Sequence, residues 1–546
     1  MRRRQALEAT NFLGLHEKAK TKNLPQFMRG GKNFLMTDDG YIEKSWGTKK
    51  IYEGHSFDEI YSLFWHKEAN SVLLATGLEG SDYKMKVCES GTWTEKSLPA
   101  SVGSKHFDKY PVSYISFLNE PYFFTGNMAL YYKSASTKDI ADLDDVNKTW
   151  FLANGGDEEL YIPVRGIAPV IHFNALWIAG IGEWRNTVLF SKSFTNIFYD
   201  IGTGALPDLN WRSVGGDDTA SGATSDEITT MAEWTPDLII FKNQSLHRMV
   251  GMSSLQYRAI PISEDIGSEV PQSVQRTRAG IIFMHNPTSG IWKYTGGAPI
   301  NISRPRVDDI LGQMGPKEFV RSGVYKDRYY VLSLGRETLV YDMDLDAWGK
   351  RDDNFGAFSW IGGLSSVFIA ADNQYKETTT AITDPARPGE TQDVLIKTPT
   401  SSDIIEFNRS GMRRLESDGT GGEDFEIEMI TPYLDAGSKS QEKTWYEVAV
   451  HYKCAEAVLA VDAEIDGALF ENLQTSIDPR PLYNQAYYGV DEYERIPIYQ
   501  TMFKLPMAST GYMISLRFYT TTGDPFRLEN YTVYFLPRGF YKEERE

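Results

Sequence analysis

One phrase returns along this chain: a short apolar strand, a Gly or Asn turn, then a second strand carrying Tyr, Trp or Phe. It occupies Ser71–Gly77, Pro121–Gly126, Ala175–Gly180, Asp237–Asn243, Gly280–Asn286 and Arg328–Gly335. A four-stranded blade cannot bury both faces alone, so blades repeat around an axis until each covers the next. Six copies spaced by about fifty residues predict a β-propeller, and no 3.6-residue period interrupts them. The outer strands of a blade are weakly marked, so six to eight blades fit the pattern.

The 31 Tyr, 28 Phe and 12 Trp suit pleated surfaces, and 46 Gly suit tight turns. A chain of 546 residues buries its cores without staples. Cys88 and Cys454 fall far apart and predict two inert thiols in a reducing compartment. The start, Met1 and Arg2–Arg4, leads into no apolar signal core, and no run reaches membrane-helix length, so a membrane anchor is not expected. The net charge of −18 disfavours a protein that grips nucleic acid through its phosphates.

The chain divides into three parts. Residues 1–50 lack the repeat; Leu7–Ala19 reads as a short amphipathic helix and Asp39-Gly40 as a hairpin turn. Residues 51–415 hold the blades, with long Thr/Asp/Gly-rich loops at Gly202–Ser225 and Asp372–Ser402 as candidate contact loops. Residues 416–546 alternate over Phe425–Tyr433, Tyr446–Tyr452, Val458–Ile465, Tyr512–Tyr519 and Tyr531–Leu536, the pattern of a β-sandwich. The fold class is therefore all-β, an irregular propeller followed by a C-terminal sandwich.

Chemistry is not evident. The eight histidines show no metal spacing and read as turn or core residues. Asp342-x-Asp344-x-Asp346 opens like a calcium loop, but Ala347 and Asp353 stand where Gly and Glu belong, so the turn reads as a blade hairpin. Glu89–Glu95 is one imperfect sialidase-type turn that does not recur, and phosphate-loop, nucleophile-elbow and dinucleotide motifs are missing. No catalytic residue, metal or cofactor is expected.

Several phrases in order resemble the propeller-bearing tail proteins of short-tailed bacteriophages, the tail nozzle, tail tubular or packaged-DNA-stabilising proteins. They are Asn33–Thr48, with Ser45 where a basic residue is common, then Asn186–Phe198, Asp226–Gly251, Ile266–Val274 and Gly280–Tyr294. The stretches Ile430–Gly437 and Lys443–Val450 at the start of the sandwich are similar to that family too.

The resemblance implies a structural virion protein: a ring of copies, commonly six, below the portal and adaptor, retaining and then passing genomic DNA without reading its sequence. Its partners would be itself, the adaptor, other tail proteins and a tail fibre; it would be assembled in the host cytoplasm and located in the virion tail. An acidic wall resists adhesion of a sliding polyanion, which makes Asp142, Asp144, Asp145, Asp217 and Asp218 candidate channel-lining acids. Phe27, Met28, Arg29 and Phe34, in a partly apolar and basic stretch, are candidate contacts of a docking arm on the adaptor. Two other classes compete. Abundant Trp and Tyr suit a carbohydrate-binding or glycoside-hydrolysing propeller, while a Kelch or WD scaffold lacks its fixed-offset signature.

Overall fold

A computed structural model describes residues 4–538 apart from 19–24, 68–71, 103–111, 134–135, 182–183, 202–205, 216–225, 362–366, 384–390, 409–413, 416–421, 455–458, 482–497, 507–508, 523–524 and the single positions 255, 315, 336, 423 and 474. Seven antiparallel sheets follow one another as blades, each beginning at its innermost strand: Glu59–His66, Ser113–Phe117, Ile167–His172, Ile228–Trp234, Gln275–Thr277, Arg321–Tyr325 and Phe355–Ile361. Each inner strand touches the next, and the seventh touches the first, so the ring is closed.

The six repeated phrases contain the second strands of blades 1 to 6, from Val72–Glu79 to Tyr329–Ser333. A second strand has its two faces covered by the blades on either side, so the sequence is apolar throughout, as in Leu238–Phe241, where Leu238 and Ile240 face blade 3 and Ile239 and Phe241 face blade 5. Between successive blades lie separate apolar wedges. Val72 and Met85 face Phe123 and Leu130 between blades 1 and 2, and Trp177 and Phe190 face Met231 and Ile240 between blades 3 and 4. Aromatic residues thus serve largely as inter-blade core.

Closure uses the chain's beginning. Strands β1 (Gln5–Ala9), β2 (Gly30–Lys32), β3 (Phe34–Met36), β4 (Ile42–Lys44) and β5 (Gly47–Ile51) precede the first blade. β5 adds the outer strand of blade 7, pairing antiparallel with Ile404–Asn408, while Arg414–Leu415 joins its far edge in parallel. Trp46, just before β5, is buried against Tyr325 and Tyr329 of blade 6 at centroid distances of 4.6 and 4.7 Å.

The sandwich follows blade 7. One sheet holds β2, Phe425–Ile430, Ile514–Thr522, Ala460–Ile465 and Ala468–Phe470; the other holds β3, β4, Phe526–Pro537, Lys443–Cys454, Ile498–Lys504 and Thr475–Pro481, with β1 alongside Phe526–Pro537. β3 also pairs with the last strand of blade 6 at Phe34↔Lys350, so one twelve-stranded sheet runs from blade 6 into the sandwich.

Residues 1–50 therefore do not form a separate arm. Their described part is strand-rich and built into both domains, and the expected helix over 7–19 does not form among its described residues: β1 ends at Ala9, and Leu15 bridges Met28 in parallel. The physical reason is tertiary: Glu8 is exposed but Ala9, Phe12 and Leu15 are buried in the one core shared by blades 5 and 6 and the sandwich. The Asp39-Gly40 turn is present, joining β3 to β4, with Gly40 at φ 76°.

The two stretches expected to be loops contain strands where they are described. The described part of 202–225 carries the short strands Pro207–Leu209 and Trp211–Ser213. The described part of 372–402 forms a two-stranded ribbon: Val367–Thr383 pairs with Thr391–Asn408 from Ile369↔Glu406 to Thr383↔Thr391, with one register shift between Gln374 and Tyr375. Its many Thr residues favour a ladder over a loop.

Candidate functional site

All seven inner strands or the turns before them contribute to a cavity of about 240 Å³ on the propeller axis, whose polar lining includes Tyr61, Ser62, Thr230, Gln272, Gln275 and Arg321. The cavity's charge is already committed. Arg321 is buried and donates through Nε to the carbonyls of Tyr61 (3.3 Å) and Gly356 (2.9 Å), and through Nη1 to those of Glu318 (2.5 Å) and Val320 (2.8 Å). One guanidinium thus ties blade 6 to blades 7 and 1. Ser322 donates to the Gln272 carbonyl at 2.7 Å and Gln275 to the Ser322 carbonyl at 3.2 Å, joining blades 5 and 6. Ser62 accepts from the Val112 amide at 2.8 Å, joining blades 1 and 2. These bonds make the axis a belt that holds the ring, since each replaces a hydration lost on burial.

The candidate docking residues Phe27, Met28, Arg29 and Phe34 face inward. Met28 and Phe34 have no exposed surface and belong to the core that joins propeller and sandwich. Arg29 pairs with Glu464 at 3.1 Å and lies 4.3 Å from the Tyr433 ring centroid, and half-buried Phe27 packs edge-on against His16. Met28 and Phe34 are staples within one chain and offer no surface to an adaptor, since turning them outward would expose the seam of the shared core, while Phe27 and Arg29 are half-buried with partners inside the chain.

The candidate acids Asp142 and Asp144 also have internal work. They lie at the end of the outermost strand of blade 2, away from the central cavity, at the start of helix α1 (Leu143–Ala153). Asp142 is the N-cap, accepting from the Asp144 amide at 2.9 Å, and burial raises its carboxyl. Asp144 accepts from Tyr161 Oη (2.7 Å) and the Val164 amide (2.7 Å) and lies 3.4 Å from Arg165. Asp145 is exposed, and Asp217 and Asp218 lie outside the described residues. Lysine at 142 or 144 would therefore cost local structure, so neither position can test channel charge cleanly.

Other clusters resolve in the same way. Asp342 accepts two bonds from Arg328 and also the amide of Asp344, Asp344 pairs with Arg278, and Asp346 pairs with Arg306 at 2.9 Å. Arginine cations occupy the places a calcium ion would need. Sequence reading missed one constellation, Asp226, Ser245 and His247 around the third strand of blade 4. Ser245 Oγ donates to Asp226 at 2.5 Å and contacts His247 Nε2 at 2.9 Å, while the Asp226 carboxylate also accepts the Gln244 amide at 2.7 Å. Acyl-transfer chemistry needs the imidazole to take the serine proton with the carboxylate behind it. Here the hydroxyl proton goes to the carboxylate, so the trio fastens a turn.

Burial lowers the pKa of His55, His172 and His247. Burial favours the neutral form of each in the fold, and its contribution to stability is complete above the unfolded value of about 6.5 and lost as pH falls below it toward the folded value. The thermal midpoint is expected to drop between pH 7.5 and 5.5. Glu79, lowered to about 2 by Lys84 and Lys86, titrates well below that window. A midpoint that is flat or rises over this range would refute the assignment of neutral buried histidines.

Both cysteines are buried free thiols. No His/Cys/Asp/Glu group able to hold a metal occurs among the described residues, and none of their helices is long and apolar enough to cross a membrane.

Comparison with known proteins gives no family model and no curated relative that matches. Solved structures with a similar arrangement include PorZ, a bacterial surface component of the type-IX secretion system of Porphyromonas gingivalis (9% identity, 71% of this chain, 43% of that one, TM-score 0.35). They also include the extracellular domain described as that of a hybrid two-component system from B. thetaiotaomicron (11%, 93% and 63%, TM-score 0.37) and Kluyveromyces lactis Hsv2 (8%, 62% and 98%, TM-score 0.29). The chain spans about half the length of the two bacterial proteins.

Proposed function

We propose that this chain is a structural subunit of a bacteriophage tail, of the nozzle or tail tubular kind, forming a ring that continues the DNA channel below the portal and adaptor. The observation that carries this reading is the use made of Asn33–Thr48, the phrase that most resembles that family's opening. It supplies β3 and β4, which join the sandwich to blade 6, and the start of β5, which closes blade 7. The phrase is thus the part of the sequence on which the two-domain architecture depends, and the later similar phrases follow in blades 3 to 5 and in the sandwich. The role is one of scaffold and conduit, with an acidic surface that lets DNA slide.

Antibody-gold labelling of intact virus particles, beside a mass count of this chain per particle, is expected to place label on the tail with about six copies, a closed cyclic number. Particles without the chain would overturn the reading. A carbohydrate-binding propeller has one observation in its favour: Trp211 is exposed on the rim of blade 3, 6.2 Å between centroids from Trp184, and such faces stack on sugars. Glycan binding lost in Trp211→Ala would support that second reading.

A further inference from the structure

Six of the twelve large apolar side chains exposed among the described residues belong to one region. Leu160 and Phe194 are 69% exposed and Met252 81%, and with Ile201, Leu206 and Trp211 they sit on the rim of blades 3 and 4 and the segment leading into blade 3. Contacts tie these positions together. Tyr199–Ile201 pairs with Pro207–Leu209, and Tyr199 Oη donates to the Ile162 carbonyl at 2.6 Å, which brings the Leu160 segment alongside. Lys192 pairs with Asp200 at 2.7 Å, anchoring the turn that bears Phe194, and Arg212 donates to the Ser254 carbonyl beside Met252. Clustered exposure of this kind marks an interaction surface. Trp211–Ser213 is also the last strand of its sheet, an edge that can accept another strand.

The ribbon is the complementary feature. Beyond Asp372 and Asp403 its two strands pair with each other, and among the described residues no third strand joins them. Residues 373–383 at about 3.3 Å each extend about 36 Å. A two-stranded hairpin alone is marginal in water, so a surface to lie on would stabilise a ladder this long. Its sequence includes Ile382 and Val394-Leu395-Ile396. The ribbon leaves blade 7, three blades around the ring from blade 3, so donor and acceptor lie on different sides of the molecule. One donor and one different acceptor per copy is what a head-to-tail ring requires.

We propose that the ribbon of one copy lies across the apolar rim of blade 3 on the next copy, and that this clasp is the contact between neighbouring subunits. The inference rests on the ring reading above and names the surfaces that make the ring.

Two variants of the full chain test it: one with residues 376–398 replaced by Asn-Gly, joining the paired positions Tyr375 and Pro399, and Phe194→Asn/Met252→Ser on the rim. Native mass spectrometry is expected to show oligomers for the unaltered chain and an association constant weakened at least about a hundredfold for each variant, with unchanged melting. Mixed together, the two variants are expected to form one-to-one dimers and nothing larger, because one retains the acceptor and the other the donor. Either variant assembling at full strength, or a mixture that stays monomeric, overturns the clasp and leaves the ring reading standing. An unaltered chain that is monomeric at every concentration overturns both. Loss of oligosaccharide binding in the rim variant with assembly intact would assign the rim to sugar and overturn the clasp.

Discussion

Asp353→Ala is expected to destabilise the protein by about 3–5 kcal/mol, read as a shift of the urea midpoint at pH 7. Arg351 and Asp353 form an ion pair whose side chains are 1% and 3% exposed, with Arg351 Nε donating to Asp353 Oδ2 at 2.7 Å and a second, shorter bond from Nη2. Arg351 Nη1 also donates to the Trp46 carbonyl at 2.7 Å, and its guanidinium lies 5.3 Å from the Phe407 ring centroid. The pair thus links the last strand of blade 6 to the closing segment and to blade 7.

Removing one partner leaves a charge where water cannot reach it, and that penalty, more than the lost attraction, sets the size of the effect. Arg351→Met is expected to cost a similar amount because it strands the carboxylate. The double variant Arg351→Met/Asp353→Leu is expected to recover at least half of the loss, since two apolar side chains need no partners. A single variant within about 1 kcal/mol of the parent, or a double variant as damaged as the sum of the singles, would contradict the buried-pair account.

The propeller was legible where strands have two neighbours. Leu73–Ala75, Phe123–Phe124, Ile239–Phe241 and Ile281–Met284 are buried on both faces, so they read as apolar runs without any knowledge of partners. Blade 7 escaped because Phe368–Ala371 does not end in a turn; it runs on into the ribbon, whose polar, Thr-rich sequence looks like a loop until its ladder is formed. The strands of residues 5–51 escaped for a different reason. β3 and β4 pair with each other across the Asp39-Gly40 turn that the sequence does mark, but these strands and β2 have only three residues each and their other partners lie more than 300 positions away, as in Phe34↔Lys350 and Gly31↔Met429, so no local period betrays those pairings.

Context also decides the candidate residues that have internal partners. Met28 and Phe34 are apolar beside Arg29 and Lys32, which suggests a sticky arm only if nothing in the chain covers them; the sandwich does. Asp142, Asp144 and Asp145 were counted as charge, although an Asp followed by acidic residues in the next turn is also a helix start, and helix α1 begins there. The Ser245 cluster left no local mark, because Asp226 lies 19 positions before the hydroxyl it accepts from.

Ring closure gives the second large effect. Trp46→Ala is expected to cost about 3–5 kcal/mol, the range for truncating a large buried aromatic. Trp46 is 1% exposed and meets Tyr325, Tyr329 and Phe407 edge-on, so its indole fills the corner where β5 joins blade 7 to blade 6. Because β5 comes from a part of the chain remote from the rest of blade 7, its pairing carries a loop-closure cost that packing at Trp46 offsets. The loss should therefore be concentrated at the closure. In hydrogen exchange, the amides of Gly47–Ile51 and Ile404–Asn408 are expected to lose protection together, while Leu238–Phe241 of blade 4 keeps its own. Trp46→Phe retains the aromatic contacts and removes a buried indole N–H that has no acceptor among the described residues, so it should behave close to the parent. If exchange in Trp46→Ala rises equally in all blades, closure is not a separate cooperative unit; if the closing strands stay protected while stability falls, Trp46 acts on the core of blade 6 and not on the seal.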